Sequence, residues 1–367
     1  MFSSSNFIRA LALLVALAAL VGGSPLPFAR AQQQQPPPAP QKPKPGDAQQ
    51  IDDDEVLTVD TSLTNVLFSA VDRDKRFFSA LTKEDIRITE DGVAQEIFTF
   101  QKQVDLPITL AIVIDTSASQ EYTLPQEKAA ARQFVDAVLR PAKDEVAVVS
   151  FTGDAVLEVG LTGNVSRVRS AIDKVEFVPP AGYIGGGVVV GTPPISGSSR
   201  AGSTALWDAI LVTCDEVLST SSARTRRAIV LLTDGVDTSS RVKLQEAVDQ
   251  AIKHETLVFS IGIGDRFNYG GVDEGSLKKI SERTGGRAYF PRDEEDLRTA
   301  FAQIQRELRE QYLVAYSPTN KRRDGTFRKL QIEVANPELK RQNLKLTYRQ
   351  GYFAKSDEPP SQRRRRS

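Results

Sequence analysis

Two carboxylates and three hydroxyls stand out by where they fall. Ile112-Val113-Ile114 runs into Asp115-Thr116-Ser117-Ala118-Ser119, an Asp-x-Ser-x-Ser pattern that ends an apolar run. Thr204 opens a stretch with helical spacing, and Leu231-Leu232-Thr233-Asp234-Gly235 sets a second acid behind another apolar run. A hard divalent cation such as Mg2+ takes oxygen ligands in octahedral geometry at about 2.1 Å. Hydroxyls of Ser117, Ser119 and Thr204 would each offer a neutral lone pair. Asp115 and Asp234 would supply negative charge, directly or through water. Alone, the five-residue pattern is also what a serine capping the next helix leaves behind. Thr204 likewise reads as a cap or as a ligand.

The rest of the chemistry-bearing inventory is sparse. One cysteine, Cys214, rules out an internal disulfide, and one histidine, His254, argues against histidine-rich zinc or copper sites. Ser117 is not in a Gly-x-Ser-x-Gly elbow, and His254 falls at a helix end, where a cation suits the dipole. The Gly-rich stretch 179–202 lacks the Gly-Lys-Ser/Thr of a phosphate loop. It precedes Thr204, so it reads either as an overhang above the site or as a neutral insertion. Trp207 and Cys214 read as core. The acidic run 52–55 reads as a solvated segment or a calcium site. Formal net charge is zero, which gives nucleic-acid binding no support from bulk charge.

These candidate ligands need a scaffold. Residues 108–114 form a continuous β-branched run, as expected of a strand buried on both faces. Further runs at 146–151, 228–232 and 257–262 have the same character, and 155–159 reads as an edge strand. Helical spacing fills 125–140, 165–175, 205–218, 242–254, 277–284 and 293–309, with a short strand at 287–290. Strands alternating with helices predict an α/β unit with a mostly parallel central sheet flanked by helices. Asp115 and Asp234 then lie at the carboxyl ends of strands, the edge where such sheets bind ligands.

The flanks differ. Residues 65–71, 85–89 and 95–100 alternate as strands, with Glu90-Asp91-Gly92 as a hairpin signal. Residues 312–316, 329–334 and 344–348 read as strands too. We expect the N- and C-terminal flanks to form one small β-sandwich-like domain, with the α/β unit inserted. Ahead of them, the apolar run 10–21 and Ala29-Arg30-Ala31 read as a secretory signal, with an uncleaved anchor as the other reading. Residues 32–50 are Gln- and Pro-rich, expected of an extended linker. The organisation expected is therefore signal 1–31, linker 32–50, β-rich part 51–104, α/β domain 105–310, β-rich part 311–355 and basic tail 356–367. Its location would be secreted or periplasmic, in the cell envelope.

Taken together, Asp-x-Ser-x-Ser, Gly-x-Thr-Ala-Leu-x-Asp-Ala from Gly202 and Leu-Thr-Asp-Gly from Leu232 resemble the metal-ion-dependent adhesion site of von Willebrand factor A (VWA) domains. The resemblance spans about 107–308. It implies a Rossmann-like sheet with a metal at its top: Mg2+, or Mn2+ or Ca2+ in its place. By position, Ser117 and Ser119 would be direct ligands and Thr204 a direct ligand in one state. Asp115 and Asp234 would bind directly or through water. A coordination position is left for a Glu or Asp of a protein partner. The stretches Leu81-Thr82-Lys83-Glu84-Asp85-Ile86 and Glu90-Asp91-Gly92-Val93-Ala94-Gln95-Glu96-Ile97 are similar to secreted bacterial VWA-related proteins common in Acidobacteria.

The function expected is an exported, non-enzymatic module that captures an acidic side chain through its metal. A structural envelope-assembly protein with a stabilising metal is the first alternative, and a metal-dependent hydrolase the second. Membrane contact is expected only if the N-terminal segment is kept. Oligomeric state is not legible in the sequence.

Overall fold

The computed structural model describes residues 63–74, 76–103, 106–179, 203–222, 225–264 and 271–357. The expected signal 1–31, linker 32–50, acidic run 52–55, nearly all of the loop 179–202 and nearly all of the tail 356–367 lie outside the described residues.

The N-terminal flank supplies β1 (Thr64–Val71), β2 (Ile86–Glu90), β3 (Val93–Gln95) and β4 (Ile97–Gln103). The hairpin turn is at Asp91 and Gly92, whose φ angles of 48° and 83° are the positive values a tight two-residue turn demands. The hairpin is shorter than its expected second strand at 95–100. After Gln95 the chain leaves the hairpin, and β4 pairs in a different sheet.

The central unit runs β5 (Ile108–Asp115), α1 (Leu124–Val138), β6 (Glu145–Phe151), β7 (Ala155–Thr162) and α2 (Val165–Lys174). It continues with α3 (Leu206–Val212), β8 (Arg226–Thr233), α4 (Leu244–Lys253), β9 (Thr256–Gly262), α5 (Glu274–Thr284), β10 (Ala288–Tyr289) and α6 (Glu294–Arg309). The single helix expected at 205–218 is broken: α3 passes into a π-helical turn at Thr213–Val217 and a 3-10 turn at Leu218–Thr220. All six strands form one sheet in the order β10-β9-β8-β5-β6-β7. Every pairing is parallel except β6 with β7.

Every residue of β5 is buried, because helices cover both sheet faces. Ile108, Leu110, Ile112 and Ile114 pack with α1, α2 and α6. Ala111 and Val113 pack with α3, α4 and α5. Alternate residues of one strand thus feed two cores, which is why the run shows no polar alternation.

The C-terminal flank supplies β11 (Gln311–Tyr316), β12 (Phe327–Val334), α7 (Pro337–Arg341), β13 (Lys345–Tyr348) and β14 (Gly351–Phe353). Asn336 caps α7, accepting from the Glu338 amide at 3.0 Å. Strands from both flanks share two sheets, β13-β1-β11-β4 and β14-β12-β2-β3. Between them lies a third core that includes Val66, Phe68, Ile88, Tyr312, Val314 and Ile332.

Candidate metal centre

Strand order reverses between β5 and β8: β6 and β7 lie to one side, β9 and β10 to the other. Ligand crevices in open α/β sheets form at that point, because the loops leaving the two strands part in opposite directions. Both acids predicted for the site sit there. Asp115 ends β5 and is fully buried, and Asp234 follows β8. Asp115 accepts from the Ser117 amide at 2.9 Å and from the Thr233 hydroxyl at 2.6 Å. Ser117 and Ser119 place their hydroxyl oxygens 3.2 Å apart. Ser119 in turn hydrogen-bonds the Asp234 carboxylate.

Thr204 joins this group through its backbone. Its amide donates to the Thr238 hydroxyl at 2.8 Å, and its carbonyl accepts from the amides of Thr238 and Ser239. The next amide, Ala205, donates to the Thr152 carbonyl beyond β6. Among the described residues its hydroxyl makes no hydrogen bond to the other four. Asp237 and Ser240 then stitch the loop after β8 to the start of α3, through the amides of Leu206, Trp207 and Asp208. Gly235 makes the turn after Asp234 with φ of 82°, and a Cβ there would lie 2.8 Å from Leu277 Cγ. The three ligand-bearing loops are therefore one hydrogen-bonded assembly.

This assembly is electrostatically unbalanced. Burial, then the neighbouring Asp234 carboxylate, pushes the Asp115 carboxyl up to about 7. Burial also raises Asp234. A third acid that the sequence reading missed, Glu127 in the first turn of α1, is fully buried. Among the described residues, neither of its carboxylate oxygens has a hydrogen-bond partner. Thr123 lies beside it, yet the Thr123 hydroxyl donates to Gln120 Oε1 at 2.8 Å. Burial, reinforced by Asp115 and Asp234, pushes Glu127 up to about 8. Buried acids held together without a cation cost free energy, and that cost is what a bound dication removes.

Two models of the von Willebrand factor type A domain match the chain, over residues 110–236 and 195–303. The chain contains a von Willebrand factor type A domain. A UPF0353 protein of Mycobacterium avium is 26% identical over 217 residues, covering 54% of this chain and 59% of the relative. The chain thus matches little more than half the length of that relative. A von Willebrand factor type A structure from Catenulispora acidiphila covers 82% of this chain and 76% of its own, at 13% identity and a TM-score of 0.45. The proximal thread matrix protein 1 of the mussel byssus, in a form with a zinc-occupied MIDAS motif, covers 59% of this chain and 49% of its own, at 20% identity and a TM-score of 0.43.

The donor chemistry of this VWA domain fits an oxygen-seeking dication. Two acids and a hydroxyl pair converge where no basic side chain contacts them among the described residues. There is also no cluster of three or more His, Cys, Asp or Glu side chains arranged to hold a metal among those residues. A cation here would rest on hydroxyls as much as on carboxylates.

The sequence carried a signal for Glu127 that went unread. Leu124, Glu127, Ala131, Phe134 and Val138 follow helical spacing on the buried face of α1, so a carboxylate stands in an apolar stripe. The roles of Thr233 and Thr238 had no such signal, because a threonine near a strand end is ordinary.

Proposed function

We propose that this VWA domain is a binding module rather than an enzyme, and that Asp115, Ser117, Ser119, Thr204 and Asp234 hold a divalent cation that accepts an acidic side chain of a protein partner. Mg2+ is the first candidate, with Mn2+ or Ca2+ in its place. The observation that carries the reading is the crowding of buried acids at the switch point, where no basic side chain among the described residues pairs with them. When bound, the cation supplies Lewis acidity toward an outside carboxylate. Asp115 and Asp234 anchor it, while the hydroxyls of Ser117, Ser119 and Thr204 donate without adding charge. Two carboxylates neutralise the dication without filling its coordination shell, so an electrophilic position remains for an outside anion.

Hydrolysis has less to stand on. Ser117 Oγ has Ser119 Oγ beside it, and the chain's one histidine, His254, pairs with Asp215 at 2.8 Å next to the start of β9, at the opposite sheet edge. Within this reading the chain is exported by segment 1–31 and held off by linker 32–50. The β-rich flanks 51–104 and 311–355 frame the domain at 105–310. Among the described residues no helix is long and apolar enough to cross a membrane.

The test is Mg2+ titration by calorimetry of the wild type and of Asp115→Ala, followed by a chelator-sensitive pull-down. Loss of both metal binding and partner capture with the fold retained is the expected result. An unchanged Mg2+ affinity in the variant would sink the reading. Chelation that lowers the melting temperature while every captured partner stays would favour a purely structural metal.

A further inference from the structure

A second site lies at the opposite end of the sheet from the metal centre. Thr256 starts β9 and Gly262 ends it at the metal edge, so Lys253 and Glu255 mark the far edge, about 20 Å away by strand rise. An opening of about 330 Å³ lies there, lined by the end of α4, the segment before β12 and the strand pair β12 and β14. Formal net charge over the whole chain is zero. Seven basic side chains nevertheless line this opening, against one acid, Glu255.

Three of the seven have acidic partners. Arg349 pairs with Glu255 at 3.0 Å, Arg323 with Asp357 at 2.8 Å, and Arg328 with the buried Glu90 at 3.2 Å. The other four, Lys253, Lys321, Arg322 and Lys355, have no carboxylate partner among the described residues. Lys321 and Arg322 stand on a turn that is built rather than loose. Arg328, 1% exposed, donates to the carbonyls of Asn320 at 2.8 Å and Arg322 at 2.7 Å. Beneath it, Glu90 accepts from the hydroxyls of Tyr316 and Tyr352. A buried ion pair is a weak source of stability. Here its evident consequence is to clamp the backbone that presents two further cations. Such a pre-set turn lowers the ordering cost of binding an anion.

We propose that this cleft is a binding site for a ligand carrying several phosphate groups. Guanidinium forks match phosphate oxygens in pairs, and the lysines add point charge. Four unneutralised cations around one opening call for more than one phosphate. The site is independent of the metal edge, so the molecule can hold a phosphate-bearing ligand at one end and an acidic protein at the other.

The experiment uses the full chain in the presence of EDTA, which keeps the metal edge out of play. Tripolyphosphate is titrated by calorimetry at low ionic strength, and phosphatidylglycerol vesicles are tested by co-sedimentation. The cleft variant is K321E/R322E/K355E, all three residues being exposed. The control K83E/K174E/K279E makes the same change in net charge at exposed positions that do not line the cleft. We expect wild type and control to bind at least one probe, and the cleft variant to bind about tenfold more weakly or worse. Binding should also weaken as salt approaches about 0.15 M. Whichever probe binds identifies the source as a soluble phosphate chain or a lipid headgroup. No binding to either probe, or equal loss in cleft variant and control at matched thermal midpoints, overturns the proposal.

Discussion

Asp144 and Asp115 are both buried, and both sit where a loop meets the strand pair β5 and β6. Asp144 lies just before β6, at the end of the sheet away from the metal centre. It accepts from Arg140 Nε at 3.0 Å, from Arg309 at 2.6 Å, and from the amides of Ile108 and Arg140. Burial works against its charge, yet hydrogen bonds from Arg140, Arg309 and those amides hold it well below the usual carboxylate range. Asp115 pairs with no cation among the described residues, and burial, then the neighbouring Asp234 carboxylate, raises its carboxyl. One sheet thus has an edge whose acids are fully answered and an edge whose acids are not. The answered edge is structure. The unanswered edge spends stability, and such local cost marks where an external group completes the protein.

That contrast can be broken or sharpened. Asp144→Ala strips the counter-charge from partly exposed Arg140 and Arg309 and the acceptor from two amides, and should cost about 2–3 kcal/mol of unfolding free energy after solvent screening, measured by urea denaturation of metal-free protein. Asp115→Ala under the same conditions should not approach that loss; a comparable one would erase the distinction between the edges. Glu127→Gln should raise metal-free stability by about 1–3 kcal/mol at pH 8. The sign follows from its folded pKa, which burial lifts from 4.5 to about 8. Across that window the folded state holds the proton more tightly than the unfolded chain, so stability is greatest at the acid end and falls as pH rises. The melting temperature of metal-free wild type should decline between about pH 5 and 8, and Glu127→Gln should flatten the slope. An identical slope in both would show that Glu127 is not the strained group. The smallest effect belongs to His254→Ala. Its pair with Asp215 is partly exposed, at 25% and 36%, so the change should cost under about 1 kcal/mol and leave Mg2+ affinity untouched.

The architecture was legible where burial is uniform. The runs that became β5, β6, β8 and β9 showed no alternation because both faces are covered, and that pattern is local. The positions of Asp115 and Asp234 followed at once, since each ends such a run. What stayed hidden depended on distant partners. Nothing near residue 96 tells that the chain leaves one sheet for another, because β4 is defined by pairing with β11. The π turn at Thr213–Val217 lies inside a stretch whose helical spacing is good. The basic cleft draws on residues 63–65 as well as on residues from 253 to 355, and no short window contains it. Glu127 is the intermediate case: its spacing is readable, but an acid in a first helical turn also suits the helix dipole, so its type alone does not single it out.

The way the flanks share their sheets has a consequence for how the chain acquires its structure. Thr64 of β1 pairs with Tyr316 of β11, and Phe68 with Tyr348 of β13. Strand β1 therefore waits, without either neighbour, until nearly all the rest of the chain is in place. Closing so long a loop in a disordered chain is slow and entropically costly. A central unit that has already collapsed removes most of that burden, because it holds residues 106 and 310 on one compact body. Assembly should then proceed from the inside outward, with the sandwich zipping last. Strands β1 and β4, whose partners all come from the C-terminal flank, are the segments that stand exposed longest to misfolding or to a protease.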